Sequence, residues 1–206
     1  MAVSRRSFLK GALLAATPCV LPASVLGLNG TVPPSERIIL GGIGIGNRGS
    51  HVLRWMLEEP DVQFVAVCDA WKERRENIKK MVDERYGSED CQTYPEMKEF
   101  LDTRSDIDAL LITTGDRWHA TASVMAMRAG KDVYSEKPSS MTIAEDQAVV
   151  DTAARYGRVY QTGTQRLSEG KFAFSNELIR LGRLGDVHTV RAHIAPWDAA
   201  QMRHDW

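Results

Sequence analysis

The stretch from Arg37 to Gly49 reads Arg-Ile-Ile-Leu-Gly-Gly-Ile-Gly-Ile-Gly-Asn-Arg-Gly, an apolar run that passes without a linker into Gly44, Gly46 and Gly49. A strand that turns at once into a helix leaves few folds open. In that reading Gly44 permits the tight turn, Gly46 lets a ligand approach the backbone, and Gly49 lets the helix lie close on the strand. The first N–H groups of the new helix, with their partial positive charge, suit an anion such as a pyrophosphate. Asn47 and Arg48 lie within the turn and are candidate cofactor contacts with the three glycines.

The residues after the turn sustain this pattern. The helix after the glycines carries Val52, Leu53, Met56 and Leu57 on one side and ends before Pro60. Val62 to Cys68 is a second buried strand, and it stops at Asp69, 20 residues after Gly49. A carboxylate there would accept both ribose hydroxyls of a dinucleotide and repel a 2′-phosphate, which favours NAD; Lys72 or Arg74 could instead turn to such a phosphate, so NADP stays open. Trp71 to Tyr86 is a charged amphipathic helix with Trp71, Ile78 and Val82 toward the sheet, closed by Gly87. Gln92-Thr93, Asp108 to Thr113, Asp132 to Ser135 and Val159 to Gln161 are the remaining strands. Between them lie helices opening at Pro95, at Trp118 (with Trp118, Ala122, Met125, Ala126 and Ala129 on one stripe) and at the capping box Thr142 to Glu145. Six strands joined by helical crossovers predict an α/β fold over 37–161, a doubly wound parallel sheet of the Rossmann type in order 3-2-1-4-5-6.

From Thr162 the pattern changes. A loop and a helix from about Lys171 lead to Asp186 to Ala195, where Val190, Ala192 and Ile194 alternate with polar residues. That predicts an antiparallel strand and the start of an α+β second domain over 162–206, for substrate or dimerisation, too short to carry its own core. The sequence therefore reads as a fragment.

The other end reads as a signal. Ser4-Arg5-Arg6-Ser7-Phe8-Leu9-Lys10 precedes an acid-free apolar stretch to Leu28, broken by Pro18 and Pro22. This resembles a twin-arginine export signal over 1–30, followed by a linker at 31–36, and predicts engagement of the twin-arginine machinery and a periplasmic or extracellular destination. No stable membrane span is expected after processing. Lys and Arg number 26 against 27 acids, so the basic excess of a nucleic-acid footprint is missing. Cys19 lies in the signal, Cys68 ends a strand and Cys91 sits in a polar turn, a spacing that fits neither a disulfide framework nor a zinc site, and no metal is expected.

Two further stretches carry chemistry. Thr113-Thr-Gly-Asp-Arg-Trp-His119 lies beyond the fourth strand, at the carboxyl edge where such sheets bind ligands, and offers Thr114 and His119 to a cofactor; the competing reading of His119 is a capping or packing residue. Ser135-Glu-Lys-Pro138 puts Lys137 at the end of a buried strand beside the expected nicotinamide position. Partial burial there would let its amine share the proton of a hydroxyl that loses hydride. From spacing alone, a solvated lysine at a strand end is the favoured reading.

The glycine turn, Asp69, Trp118-His119, Glu136-Lys-Pro138 and Gly163-Thr-Gln-Arg166 occur in that order. As a set they resemble the Gfo/Idh/MocA family, glucose-fructose oxidoreductases, inositol dehydrogenases and their relatives, over about 37–206. The resemblance implies that Lys137 is catalytic and touches substrate, that Glu136 contributes to the cofactor pocket, and that Gln165 and Arg166 lie near nicotinamide and substrate. It implies a homo-oligomer in the full-length protein and an Asp and a His from the second domain. Asp198, His204 and Asp205 lack the family's spacing for that pair. The expected function is an NAD(P)-dependent oxidoreductase acting on a carbohydrate or polyol; the alternatives are a glycosidase that uses retained NAD transiently and a non-catalytic dinucleotide-binding fragment.

Overall fold

The computed structural model describes residues 27, 28 and 31–193; the Ser4 to Lys10 motif, Ile194, Asp198, His204 and Asp205 lie outside them. The chain divides into two units, Met1–Arg37 and Ile38–Trp206. In the first, Pro33 is extended and Pro34 opens a single 3-10 turn, Pro34–Glu36. Proline suits that position because its fixed φ matches and its missing N–H would have no partner there.

The second unit is built on a six-stranded sheet with every pairing parallel. The strands are β1 (Ile38–Ile43), β2 (Val62–Cys68), β3 (Gln92–Tyr94), β4 (Ala109–Ile112), β5 (Asp132–Glu136) and β6 (Tyr160–Gly163). Their spatial order is β3-β2-β1-β4-β5-β6, as the sequence predicts. The helices are α1 (Asn47–Met56), α2 (Lys72–Tyr86), α3 (Met97–Thr103), α4 (Asp116–Arg128), α5 (Ile143–Tyr156) and α6 (Gly170–Arg180). One apolar cluster joins Leu40, Ile45 and Phe64 to Val52 and Leu53 of α1 and Ile78 and Val82 of α2. The other joins Ile43, Ala66 and Ile112 to Phe100 of α3, Ala122 and Met127 of α4 and Val149 of α5. Burial on both faces is why the strands read as continuous apolar runs rather than alternating ones.

The β1–β2 register slips once, with Leu40 opposite Phe64 but Gly41 opposite Ala66. Phe64 and Val67 accordingly belong to the first cluster, while Val65, Ala66 and Cys68 belong to the second. The helix ends follow local chemistry: Gly87 and Gly157 adopt left-handed C-caps, and Thr142 with Glu145 forms the predicted capping box.

The structure corrects several expectations. Trp71 is the N-cap of α2 rather than part of its buried stripe, and its ring is exposed. Trp118 and Ala129 are exposed as well; α4 begins at Asp116 and turns His119, Ala122, Ser123 and Ala126 inward instead. Glu96 caps α3, so that helix opens two residues after Pro95. Cys91 is buried. Described residues 186–193 form no strand, and Val187 and Val190 are exposed. Alternation alone does not make a strand where no neighbouring strand offers a ladder of N–H and C=O partners.

Candidate active site

The phosphate turn sits at the carboxyl end of β1, where the chain leaves toward β2 on one side and β4 on the other, the switch point at which open α/β sheets hold ligands. Gly44 has φ +68°, and a Cβ there would run into the Thr114 backbone, so this position requires glycine. Its N–H donates to the Cys68 carbonyl at 2.8 Å. Its own carbonyl accepts the Thr113 hydroxyl at 3.0 Å. At Gly49 an added Cβ would overlap that same hydroxyl, so one threonine side chain both braces the first glycine and fills the space beside the third. Gly46 caps α1 without any side-chain hydrogen bond, and a Cβ at this position would meet only the Arg74 guanidinium, at 3.6 Å.

Asp69 is buried just past β2; its Oδ1 accepts the Trp71 N–H at 2.8 Å. Arg75, the second arginine of the α2 start, points at backbone, its Nη1 donating to the Asp69 carbonyl at 2.6 Å and the Ala70 carbonyl at 3.1 Å.

Beyond β4, Thr114 packs its methyl group against Gly44, and its hydroxyl oxygen is buried without a hydrogen-bond partner among the described residues. His119 is only 1% exposed. Its Nδ1 lies 2.6 Å from the Pro138 carbonyl oxygen and its Nε2 lies 2.8 Å from that of Thr114. The ring therefore ties the loop after β4 to the segment after β5, from beneath the crevice.

Glu136 closes β5 and is almost fully buried. Arg48 donates to its Oε1 at 3.1 Å and Gln165 donates to the same oxygen at 2.5 Å. The other oxygen accepts the Lys137 N–H at 3.1 Å. Gln165 also donates to the Tyr134 hydroxyl at 3.2 Å. Burial raises the Tyr134 phenol above its ordinary value, against the Gln165 hydrogen bond, so Tyr134 stays neutral. Glu136 thus gathers α1, β5 and the loop after β6 around one carboxylate. The sequence offers no local sign of this, because Arg48 and Gln165 lie 88 and 29 residues away.

Lys137 departs from expectation: its side chain is exposed, not partly buried. It projects from the carboxyl end of β5 ahead of a cis peptide bond to Pro138. Its ammonium meets no hydrogen-bond or ion-pair partner among the described residues. Arg166 is turned aside, its guanidinium 4.9 Å from the Phe172 ring centroid and 3.9 Å from Glu169. No cluster of His, Cys, Asp or Glu among the described residues could hold a metal ion.

The open backbone at Gly46, the uncapped start of α1, the orphaned Thr114 hydroxyl and the buried Asp69 fit a dinucleotide laid across the switch point. Fold and site together define a dinucleotide-binding α/β domain with an exposed lysine at the far lip of its crevice. The chain belongs to the Gfo/Idh/MocA oxidoreductase family with an NAD-binding Rossmann fold, whose sequence model matches residues 39–164.

Among similar proteins, a glycosyl hydrolase family 109 protein of Shewanella pealeana is 30% identical over 174 residues, 75% of this chain and 38% of its own length. An alpha-N-acetylgalactosaminidase of Shewanella oneidensis is 28% identical over 197 residues, 88% of this chain and 40% of its own. The fold matches that of scyllo-inositol dehydrogenase from Lactobacillus casei, solved with bound NAD(H) and scyllo-inositol, with a TM-score of 0.64 at 21% identity over 73% of this chain and 43% of that one. The chain spans between about a quarter and two fifths of the length of the curated relatives it matches.

Proposed function

We propose that the full-length protein is an exported NAD(P)-dependent oxidoreductase acting on a CH–OH group of a carbohydrate or polyol. The observation that carries this reading is Lys137, a cation without a protein partner among the described residues, at the carboxyl end of β5, on the same edge of the sheet as the turn that suits a dinucleotide. Gly44, Gly46, Gly49, Asn47, Arg48, Asp69 and Thr114 would hold the cofactor, with Glu136, His119 and Gln165 fixing the loops around it. When bound, a nicotinamide dinucleotide supplies the hydride acceptor or donor. In the oxidation direction Lys137 Nζ, having first given a proton to water, would take the hydroxyl proton of the substrate as hydride leaves; in the reduction direction its ammonium would return that proton. Arg166 would contact substrate only after leaving Phe172 and Glu169. Asp69 favours NAD over NADP. The Ser4 to Lys10 motif supports export through the twin-arginine machinery, and the full-length protein would assemble with copies of itself.

The test is a Lys137→Ala variant of the full-length protein, assayed for cofactor reduction on a panel of sugars and polyols. Hydride transfer should fall by roughly 10²–10⁴-fold, the usual worth of a positioned acid or base, with cofactor affinity nearly unchanged. Full turnover by this variant would remove Lys137 from the chemistry.

The names of the Shewanella relatives favour a second reading, a glycosidase that oxidises its substrate transiently on retained NAD and reduces the product again. A glycoside supplied without added NAD separates the two. Sustained cleavage supports the glycosidase, whereas a single half-turnover that leaves reduced cofactor supports the dehydrogenase.

A further inference from the structure

The glycine turn has a role in this reading; the cation beside it has none. Arg74 stands in the first turn of α2, half-buried, with its guanidinium carbon 4.5 Å from the Trp71 ring centroid. Its Nη1 lies 3.6 Å from where a Cβ on Gly46 would stand, which places the fork over the centre of the phosphate turn. Among the described residues it forms no ion pair with a carboxylate, although acids stand at Glu73 and Glu76 of the same helix. The neighbouring Arg75 directs its Nη1 at the Asp69 and Ala70 carbonyls, and Lys72 is exposed. A planar guanidinium stacked on an aromatic face keeps its in-plane N–H donors free for a bidentate acceptor.

We propose that Arg74, braced on Trp71, is a pyrophosphate contact of the dinucleotide: the α1 amides bind one side of the anion and the guanidinium the other. This rests on the turn being a dinucleotide site. It differs from the reading in which a cation after β2 selects NADP, because the fork lies against the central glycine of the turn. Asp69, where a ribose would be read, accepts the Trp71 N–H through Oδ1 and forms no ion pair with Arg74. Arg74 therefore acts on NAD and NADP alike, and Trp71 is a positioning residue that acts through it.

Binding of NAD, NADP, ADP-ribose and adenosine to the full-length protein, followed by calorimetry with far-UV circular dichroism as a fold control, tests this without any turnover. Arg74→Gln should weaken NAD, NADP and ADP-ribose by the same factor, about tenfold or more for a lost charge-assisted hydrogen bond, and leave adenosine unchanged. Arg74→Lys, a point charge without the fork, should fall between. Trp71→Ala should lose part of the same affinity, and the double variant Trp71→Ala/Arg74→Gln should bind no more weakly than Arg74→Gln alone. Unchanged binding by Arg74→Gln, or loss confined to NADP, overturns the proposal while the dinucleotide site stands. A wild-type protein that binds none of the four overturns the site itself, and the proposal with it.

Discussion

Gly49→Ala offers a change whose sign can be worked out in advance. In the first turn of an ordinary helix this substitution stabilises by about 0.5–1 kcal/mol, because alanine loses less backbone freedom on folding. At Gly49 the new methyl group would overlap Thr113 Oγ1 and stand 3.0 Å from both Thr113 Cβ and Ile45 Cγ2. Forcing an extra methyl into such packing costs roughly 1–3 kcal/mol. Displacing Thr113 also removes its 3.0 Å hydrogen bond to Gly44, worth about 1 kcal/mol. The balance is a loss of about 2 kcal/mol, a fall in Tm of roughly 4–8 °C for a chain of this size. Urea and thermal unfolding of the purified protein measure it. Gly170→Ala is the control, since a Cβ at the start of α6 has nothing within 4 Å and should be neutral or slightly stabilising. The Thr113→Ala partner completes a cycle: by itself it should cost about 1 kcal/mol, and the double variant should be at least about 1 kcal/mol more stable than the sum predicts. Gly49→Ala matching Gly170→Ala, or an additive cycle, would refute the idea that this threonine makes glycine necessary.

Two further outcomes are expected. Burial pushes the thiols of Cys68 and Cys91 up from 9.0 to about 12, with Asp69 adding to the first and Asp83 to the second. Between those values the unfolded chain releases protons that the folded chain keeps, so stability is complete below about pH 9 and declines as pH rises toward 12. The slope should approach about 1.4 kcal/mol per pH unit for each thiol, and Cys68→Ala should remove its share; a slope unchanged by that variant would count against the linkage. Glu136→Gln keeps an oxygen for Arg48 and Gln165 but turns an NH₂ group toward the Lys137 N–H that Oε2 now accepts. Two facing donors should cost about 1–3 kcal/mol in urea unfolding and speed proteolysis of the 164–169 loop, while an unaltered midpoint would show that the carboxylate is not needed there.

The strand order, the glycine turn and the position of Asp69 are legible in the sequence because each rests on short-range pattern: apolar runs bounded by glycine, proline or acid, at spacings a βαβ unit imposes. Helical phase counted from the wrong first residue misplaces Trp71 and Trp118. Trp71 is a cap and α4 starts two residues before Trp118, which turns the ring outward and His119 inward. The engagement of Glu136 with Arg48 and Gln165 is out of reach for another reason: only the folded sheet brings those three elements together. At Val187 to His193 the alternation is real, but a strand is a property of a pair, and the described chain supplies no second member.

The slip between Leu40 and Gly41 bears on how the acidic residue after β2 should be recognised. Before the slip even-numbered β2 residues join the cluster under α1 and α2; after it, odd-numbered ones do, as Phe64 and then Val67 show. Asp69 shares the parity of Val67, so the extra residue carries it to the face on which α1 begins. Counted along the chain, the acid stands a fixed number of positions after the last glycine. Counted by face, the requirement is an odd–even match that a single inserted residue restores. A relative with one residue more or fewer in this strand would keep its acid on that face only by gaining or losing the bulge with it, so length variation here should come in correlated pairs.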